Sequence, residues 1–311
     1  MRTSPQLVTG LLGTTLVLAA SCTLDLAGLP GSTSTSASAA SGGGSGTSAS
    51  SAASGNGGAG GSITSSPSSS GSSSSAGSSS GTGGAGPTLV IAGELLVDLD
   101  VDDPTAGTPT WHNKGTLGGD FKEQGKPTKG TSGGRDAVVF DGNDAYLGPD
   151  SISTIEGNSD RSIEVWVLNP TIGSEESMVS WSDRKGYNEA TMLSFNYGNN
   201  TVWGAVTHMH DPDLAWGSDV TDAPPQNQWH HLAYTHDGMT ARVFADGQQK
   251  SEKDVMLATK AGFSINLAAQ REGMWWSVYG SLAIAVIRVH SGALTAAEVK
   301  SNYEAEKTRF P

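Results

Sequence analysis

The sequence predicts an all-β fold: an antiparallel β-sandwich closed by one short C-terminal helix. Three observations carry that expectation. From Leu89 onward hydrophobic residues recur with period two rather than 3.6. Gly, Asn and Asp turn residues separate many of these short runs. A single convincing helix start stands near the C-terminus, where Thr295-Ala296-Ala297-Glu298 forms a capping box.

The chain of 311 residues mixes two materials. Residues 31–86 hold 16 Gly and 23 Ser among 56 positions, with no charged and no aromatic side chain. Such a segment has almost no apolar surface to bury, so it is expected to remain a flexible coil. Its root-mean-square reach is about 40 Å, and its full extension is on the order of 190 Å. A plain spacer or a site for sugar attachment would both explain it. All eight Trp, six Tyr and six Phe lie after position 110, which assigns the folded unit to residues 87–311.

That unit carries 17 Lys+Arg against 30 Asp+Glu. Without a basic stripe to neutralise phosphates, nucleic-acid binding is disfavoured. A single Cys, Cys22, excludes an intrachain disulfide framework and a Cys-based zinc site.

At the N-terminus, Met1-Arg2 precedes an apolar stretch over residues 7–20. The stretch is too short and too interrupted for a membrane span of about 20 apolar residues, and it reads as an export signal. Leu18-Ala19-Ala20-Ser21-Cys22 resembles the lipobox of bacterial lipoproteins, although the usual Leu three places before the Cys is Ala19 here. The resemblance implies a signal peptide over 1–21, acylation of Cys22, and a tether over 22–86. Thr23, in place of an Asp, implies the outer membrane or cell surface. An ordinary secretory signal with an incidental Cys is the alternative.

Within the folded unit, Ile163, Val165 and Val167 share one face of Arg161–Leu168, with Glu164, Trp166 and Leu168 on the other. Further strands are expected at 137–140, 177–181, 192–195, 202–207, 230–236, 241–245, 263–267 and 282–289. Asp141-Gly142-Asn143-Asp144, Tyr197-Gly198-Asn199-Asn200, Asp237-Gly238 and Asp246-Gly247 supply turns between them. The C-terminal helix is expected to pack through Val299, Asn302 and Tyr303.

The order of motifs resembles the laminin-G-like jelly rolls of the concanavalin A-like lectin/glucanase superfamily. Phe140-Asp141-Gly142-Asn143-Asp144-Ala145-Tyr146 is similar to their Phe-Asp-Gly-x-x-Asp-Tyr strand pair, and Ser162–Val167 to their Thr-Ile-Glu-Ala-Trp-Val strand. Trp229-His230-His231-Leu232-Ala233, leading to Asp246-Gly247, resembles their Trp-His-His-Val-Ala hairpin. Gly280–His290 and Ala293–Glu298 are similar to their closing strand and helix. The resemblance implies a concanavalin A-like sandwich over about 89–308, with His230 and His231 structural.

This fold hosts both binding modules and glycan-active enzymes. The Glu-x-Asp-x-x-Glu signature of laminarinase-type enzymes is absent, and Glu175-Glu176 would point to opposite faces of a strand. The expectation is therefore a non-catalytic module binding a glycan or another extracellular ligand. An adhesion module for protein partners and a divergent polysaccharide hydrolase or lyase are the alternatives. Sugar sites combine an aromatic platform with directional polar groups. Arg184, Asn196, His208, His210 and Trp216 supply those types on the strands and rim loops where the superfamily commonly holds ligand.

No cofactor is required on this reading. The pair His208-x-His210 with Asp211 lacks a clear fourth ligand for a transition metal. Calcium is the ion that the resemblance implies, at Asp141, Asn143 and Asp144, with Asp98, Asp100, Asp102 and Asp103 as a second acidic cluster. Relatives often carry Asp-Glu in the closing strand where this chain has Ala285-Val286. A monomer is expected, touching the membrane through its lipid anchor only.

Overall fold

The computed structural model describes residues 88–310 except 174, 183–191, 199–205, 210–213, 215, 217–223 and 273–274, and gives the backbone alone at 206–209, 272 and 275. In chain order the strands are β1 (Leu95–Asp100), β2 (Thr110–His112), β3 (Asp120–Gln124), β4 (Thr128–Ser132), β5 (Arg135–Val139), β6 (Ala145–Asp150), β7 (Arg161–Leu168), β8 (Ser177–Trp181) and β9 (Leu193–Tyr197). They continue with β10 (Val206–Met209), β11 (Trp229–His236), β12 (Thr240–Ala245), β13 (Gln248–Asp254), β14 (Ser264–Leu267), β15 (Gln270–Glu272), β16 (Trp275–Ser277) and β17 (Ala283–His290), and the chain then forms helix α1 (Ala296–Glu306).

Two antiparallel sheets result. The first runs β13-β12-β11-β7-β17-β5-β4, and β1 shares with β5 the free side of β17. The second runs β10-β9-β8-β14-β6-β3-β2, and β15-β16 form a separate hairpin. The core lies between the sheets, where period two predicts it. Ile163, Val165 and Val167 of β7 meet Leu232, Tyr234 and Ile287 of their neighbours, all buried. Trp111, Phe121, Tyr146, Val179, Phe195 and Leu267 face them from the second sheet. Phe195 and Tyr234 touch across the gap, with centroids 6.2 Å apart.

The β12–β13 hairpin turns on Asp246-Gly247, both with positive φ (51° and 72°), the pairing that matches strand twist in a two-residue hairpin. Asp246 also accepts from the His231 backbone N at 3.0 Å, and its other oxygen meets His230 Nδ1 at 2.8 Å. The first histidine of the Trp-His-His motif therefore reaches from β11 to brace the turn between β12 and β13.

All eight residues of β7 are buried, so its second face is covered too. Helix α1 covers it. The expected capping box forms at Thr295, and Val299 joins Ala233, Phe244 and Leu294 in a small apolar cluster. Below that cluster the contact becomes polar. Glu164 accepts from Asn302 Nδ2 (3.1 and 3.0 Å) and from His290 Nε2 (3.0 Å), and lies 3.2 Å from His231 Nε2. Arg288 grips Glu306 through two 2.8 Å bonds, and Trp166 Nε1 donates to the same carboxylate. Burial alone would raise the Glu164 pKa, but its partners His231 and His290 reverse the sign and hold it well below the usual carboxylate range. The Phe310 ring stacks on Trp166 at 4.3 Å and completes the cover.

Candidate functional site

The face of the second sheet turned away from the core carries one unbroken cross-strand row. Register sets Thr110, Lys122, Leu147, Asn266, Ser180, Ser194 and His208 side by side on β2, β3, β6, β14, β8, β9 and β10. Only Leu147 is apolar. Asn196 and Ser177 pair one step along the same face, past a bulge in β8. Alternation produces this arrangement: Val179, Phe195 and Leu267 enter the core, which sends Ser180, Ser194 and Asn266 to the opposite side.

Most of these polar groups are satisfied. Ser180 Oγ donates to the Ala269 carbonyl at 2.7 Å, and Ser194 Oγ to Asn196 Oδ1 at 2.6 Å. Asn266 is the exception. It is 1% exposed, and neither its Nδ2 nor its Oδ1 has a hydrogen-bond partner. Each buried amide atom left unpaired costs about 1–3 kcal/mol, so the row holds an unmet donor and acceptor at its centre.

The β15–β16 hairpin stands beside this row. Gln270 Nε2 donates to Glu175 Oε1 (3.0 Å) and Asn196 Oδ1 (3.3 Å). Next to it the half-buried Arg271 places its guanidinium 5.6 Å from the centroid of half-buried Trp276. Arg271 Nε and Ser277 Oγ also lack partners. The arrangement offers directional donors and acceptors with an aromatic ring alongside, the composition of a polyol site.

Of the residues expected to bind ligand, Asn196 lies on this face and is almost wholly buried. His208 is the register partner of Ser194. Trp216 has different surroundings: it is half-buried against the core, with Lys250 Nζ of β13 5.5 Å from its ring centroid. Arg184 and His210 lie outside the described residues, as do Cys22 and the tether. Asn266, Gln270, Arg271 and Trp276 were not anticipated. Their signals were an Asn among apolar residues in an expected strand, and an Arg followed by two tandem Trp before the closing strand.

The acidic clusters are engaged by backbone donors and basic side chains. Asp141 accepts from the Asn143 backbone N (2.9 Å), and Asp144 from the Lys126 backbone N (2.5 Å). Asp100 and Asp102 both bind Arg309, Asp103 binds Lys114, and Asp98 lies 3.6 Å from Arg288. Three basic side chains thus already contact the second cluster. Among the described residues, no three His, Cys, Asp or Glu side chains gather as metal ligands would. Glu176 is likewise occupied: it accepts from Asn169 Nδ2, the Gly173 backbone N (2.9 Å) and the Ser281 backbone N (3.0 Å).

Sheet order, the helix-covered face and the Trp-His-His hairpin define a jelly-roll β-sandwich. A laminin G family model (Laminin_G_3), described as concanavalin A-like lectin/glucanases superfamily, matches residues 141–300, and the chain belongs to that family. No curated protein matched the sequence. Among solved structures, domain 4 of the extracellular arabinanase AbnA from Geobacillus stearothermophilus, in complex with arabinotriose, is 18% identical (TM-score 0.46), covering 68% of this chain and 99% of that one. A Trypanosoma rangeli sialidase mutant displaying trans-sialidase activity is 12% identical (TM-score 0.49) over 70% of this chain and 34% of its own. The binding domain of Paraclostridial Mosquitocidal Protein 1 is 12% identical (TM-score 0.44), over 68% of this chain and 52% of that one. The sandwich thus spans about a third of the sialidase and half of the toxin domain.

Proposed function

We propose that the protein is a surface-tethered, non-catalytic module that binds a neutral glycan across the outer face of its second sheet. The observation that carries this reading is the unpartnered Asn266 amide at the centre of the polar row, with Arg271 and Trp276 beside it. A sugar hydroxyl both donates and accepts, which is what one amide can satisfy. The acidic surface, net charge -13, favours neutral over polyanionic chains. Glu175 and Glu176 are held as acceptors by neighbouring groups, which supports a binding role over hydrolysis.

Calorimetry with neutral oligosaccharides chosen from a glycan array tests the reading. Wild type is expected to bind, and Asn266→Ala or Trp276→Ala to lose at least tenfold in affinity with the thermal melt retained. Binding unaffected by both substitutions, or none to any glycan, refutes it. Turnover of a polysaccharide would replace it with an enzyme. The proposed anchor is acylated Cys22: a fatty-acid analogue is expected to label wild type and not Cys22→Ala, and labelling that persists excludes it.

A further inference from the structure

The first sheet carries a cleft that the sheet-face reading does not use. Its volume is about 280 Å³, and Val101, Asp102, Gly134, Arg135, Asp136, Arg309 and Phe310 line it. Three separate pieces of chain meet there: the turn after β1, the β4–β5 turn and the segment after α1. Gly134 has φ +76°, and a Cβ built on it would meet nothing within 4 Å, so that wall of the cleft is open.

The two arginines differ in a way that points to a ligand. Arg309 is fully engaged, bonded to Asp100, Asp102 and Glu306. Among the described residues Arg135 has no carboxylate partner; its described contact is with the Phe310 ring, 5.8 Å from the centroid, and Arg309 lies 5.3 Å from the same ring. A half-buried guanidinium on an aromatic ring keeps its planar fork of donors free for a carboxylate. On either side, Asp136 is exposed without an ion pair, and Asp102 is largely exposed while it holds Arg309. Free carboxylate oxygens accept from hydroxyl groups and repel a second anion.

We infer that this cleft binds a single acidic sugar residue, a hexuronate, with its carboxylate on Arg135 and its hydroxyls on Asp102. The volume lies just below the usual range of roughly 300–1,000 Å³ for ligand sites, which suits one ring rather than a chain. The acidic surface opposes a polyuronate, but charges beyond a Debye length of about 8 Å are screened at physiological salt, so one terminal carboxylate on Arg135 feels chiefly the nearby Asp102, itself paired with Arg309, and Asp136. The site lies on the other sheet from Asn266 and stands independently of the role proposed there.

Titration of the full protein with D-glucuronate and D-galacturonate, followed by saturation-transfer NMR and calorimetry, tests the inference. Wild type is expected to bind a uronate at least tenfold more tightly than glucose. Arg135→Gln should remove that preference, Arg135→Lys should retain part of it, and Asn266→Ala should leave it unchanged. Uronate binding that survives Arg135→Gln, a preference lost on Asn266→Ala, or equal affinity for glucose overturns the assignment, as does the absence of uronate binding to wild type. Thermal melts of the Arg135 variants, whose side chain makes no ion pair, should stay within 2–3 °C of wild type, on the order of 1 kcal/mol.

Discussion

Replacing Glu164 with Gln removes the charge at the centre of the polar contact under α1 while keeping the side chain's shape. The carboxylate takes bonds from Asn302 and His290 and sits beside His231, with 1% exposure. A Gln amide keeps one acceptor and turns an NH2 group toward donors that now lack a partner. Breaking a buried ionic group from one side costs about 3–5 kcal/mol. For a domain of this size, each kcal/mol moves the melting temperature by roughly 2–4 °C, so the expected loss at pH 7 is roughly 6–20 °C. Because the folded pKa of Glu164 lies below its ordinary value of 4.5, its stabilisation is fully present above that pH and declines as pH falls toward the folded value. The gap between wild type and variant should therefore narrow from pH 4.5 downward. Calorimetric melts at pH 7, 4.5 and 3 measure it; a loss below about 2 °C at pH 7, or a gap that widens in acid, refutes the reasoning.

Three further outcomes are expected. Gly247→Ala puts a Cβ at φ +72°, 3.0 Å from the Tyr303 ring, and should cost about 1–3 kcal/mol in urea unfolding, with the m-value unchanged. Glu176→Gln should destabilise by about 1–3 kcal/mol, because one of the backbone donors at Gly173 and Ser281 loses its acceptor; equal urea midpoints would contradict this. Hydrogen bonds from Thr105, with Lys114 beside it, lower the Asp103 pKa to about 2. Its stabilisation is thus present above an ordinary value of 3.8 and lost as pH falls toward 2, and Asp103→Asn should flatten that limb of the stability–pH curve.

The strands legible in the sequence were those with one face in the core. Strands β7 and β8 coincide with the expected runs, and β11 and β17 differ from theirs by one residue at one or both ends. Strand β13, Gln-Gln-Lys-Ser-Glu-Lys-Asp, gave no signal because an edge strand with exposed positions places no alternating demand on its residues. Strand β4, Thr-Lys-Gly-Thr-Ser, was invisible for the same reason. Local chemistry made the capping box and the Asp-Gly turns readable. The polar row was not readable, because it depends on register among seven strands: Asn266 meets Ser180 across 86 positions of sequence. Trp216 showed the converse limit, since its composition suggested a platform but not the contact with Lys250.

The helix that seals the first sheet also draws together distant parts of the chain. Asn302 reaches back 138 residues to Glu164 and 212 to Val90, and Arg309 reaches 209 to Asp100. Contacts this distant in sequence slow folding. Without α1, Glu164 lacks Asn302 and Arg288 lacks Glu306, while the pairing of Glu164 with His290 stands within the sheet. The second face of β7 is thus fully paired only when residues 296–310 dock on it.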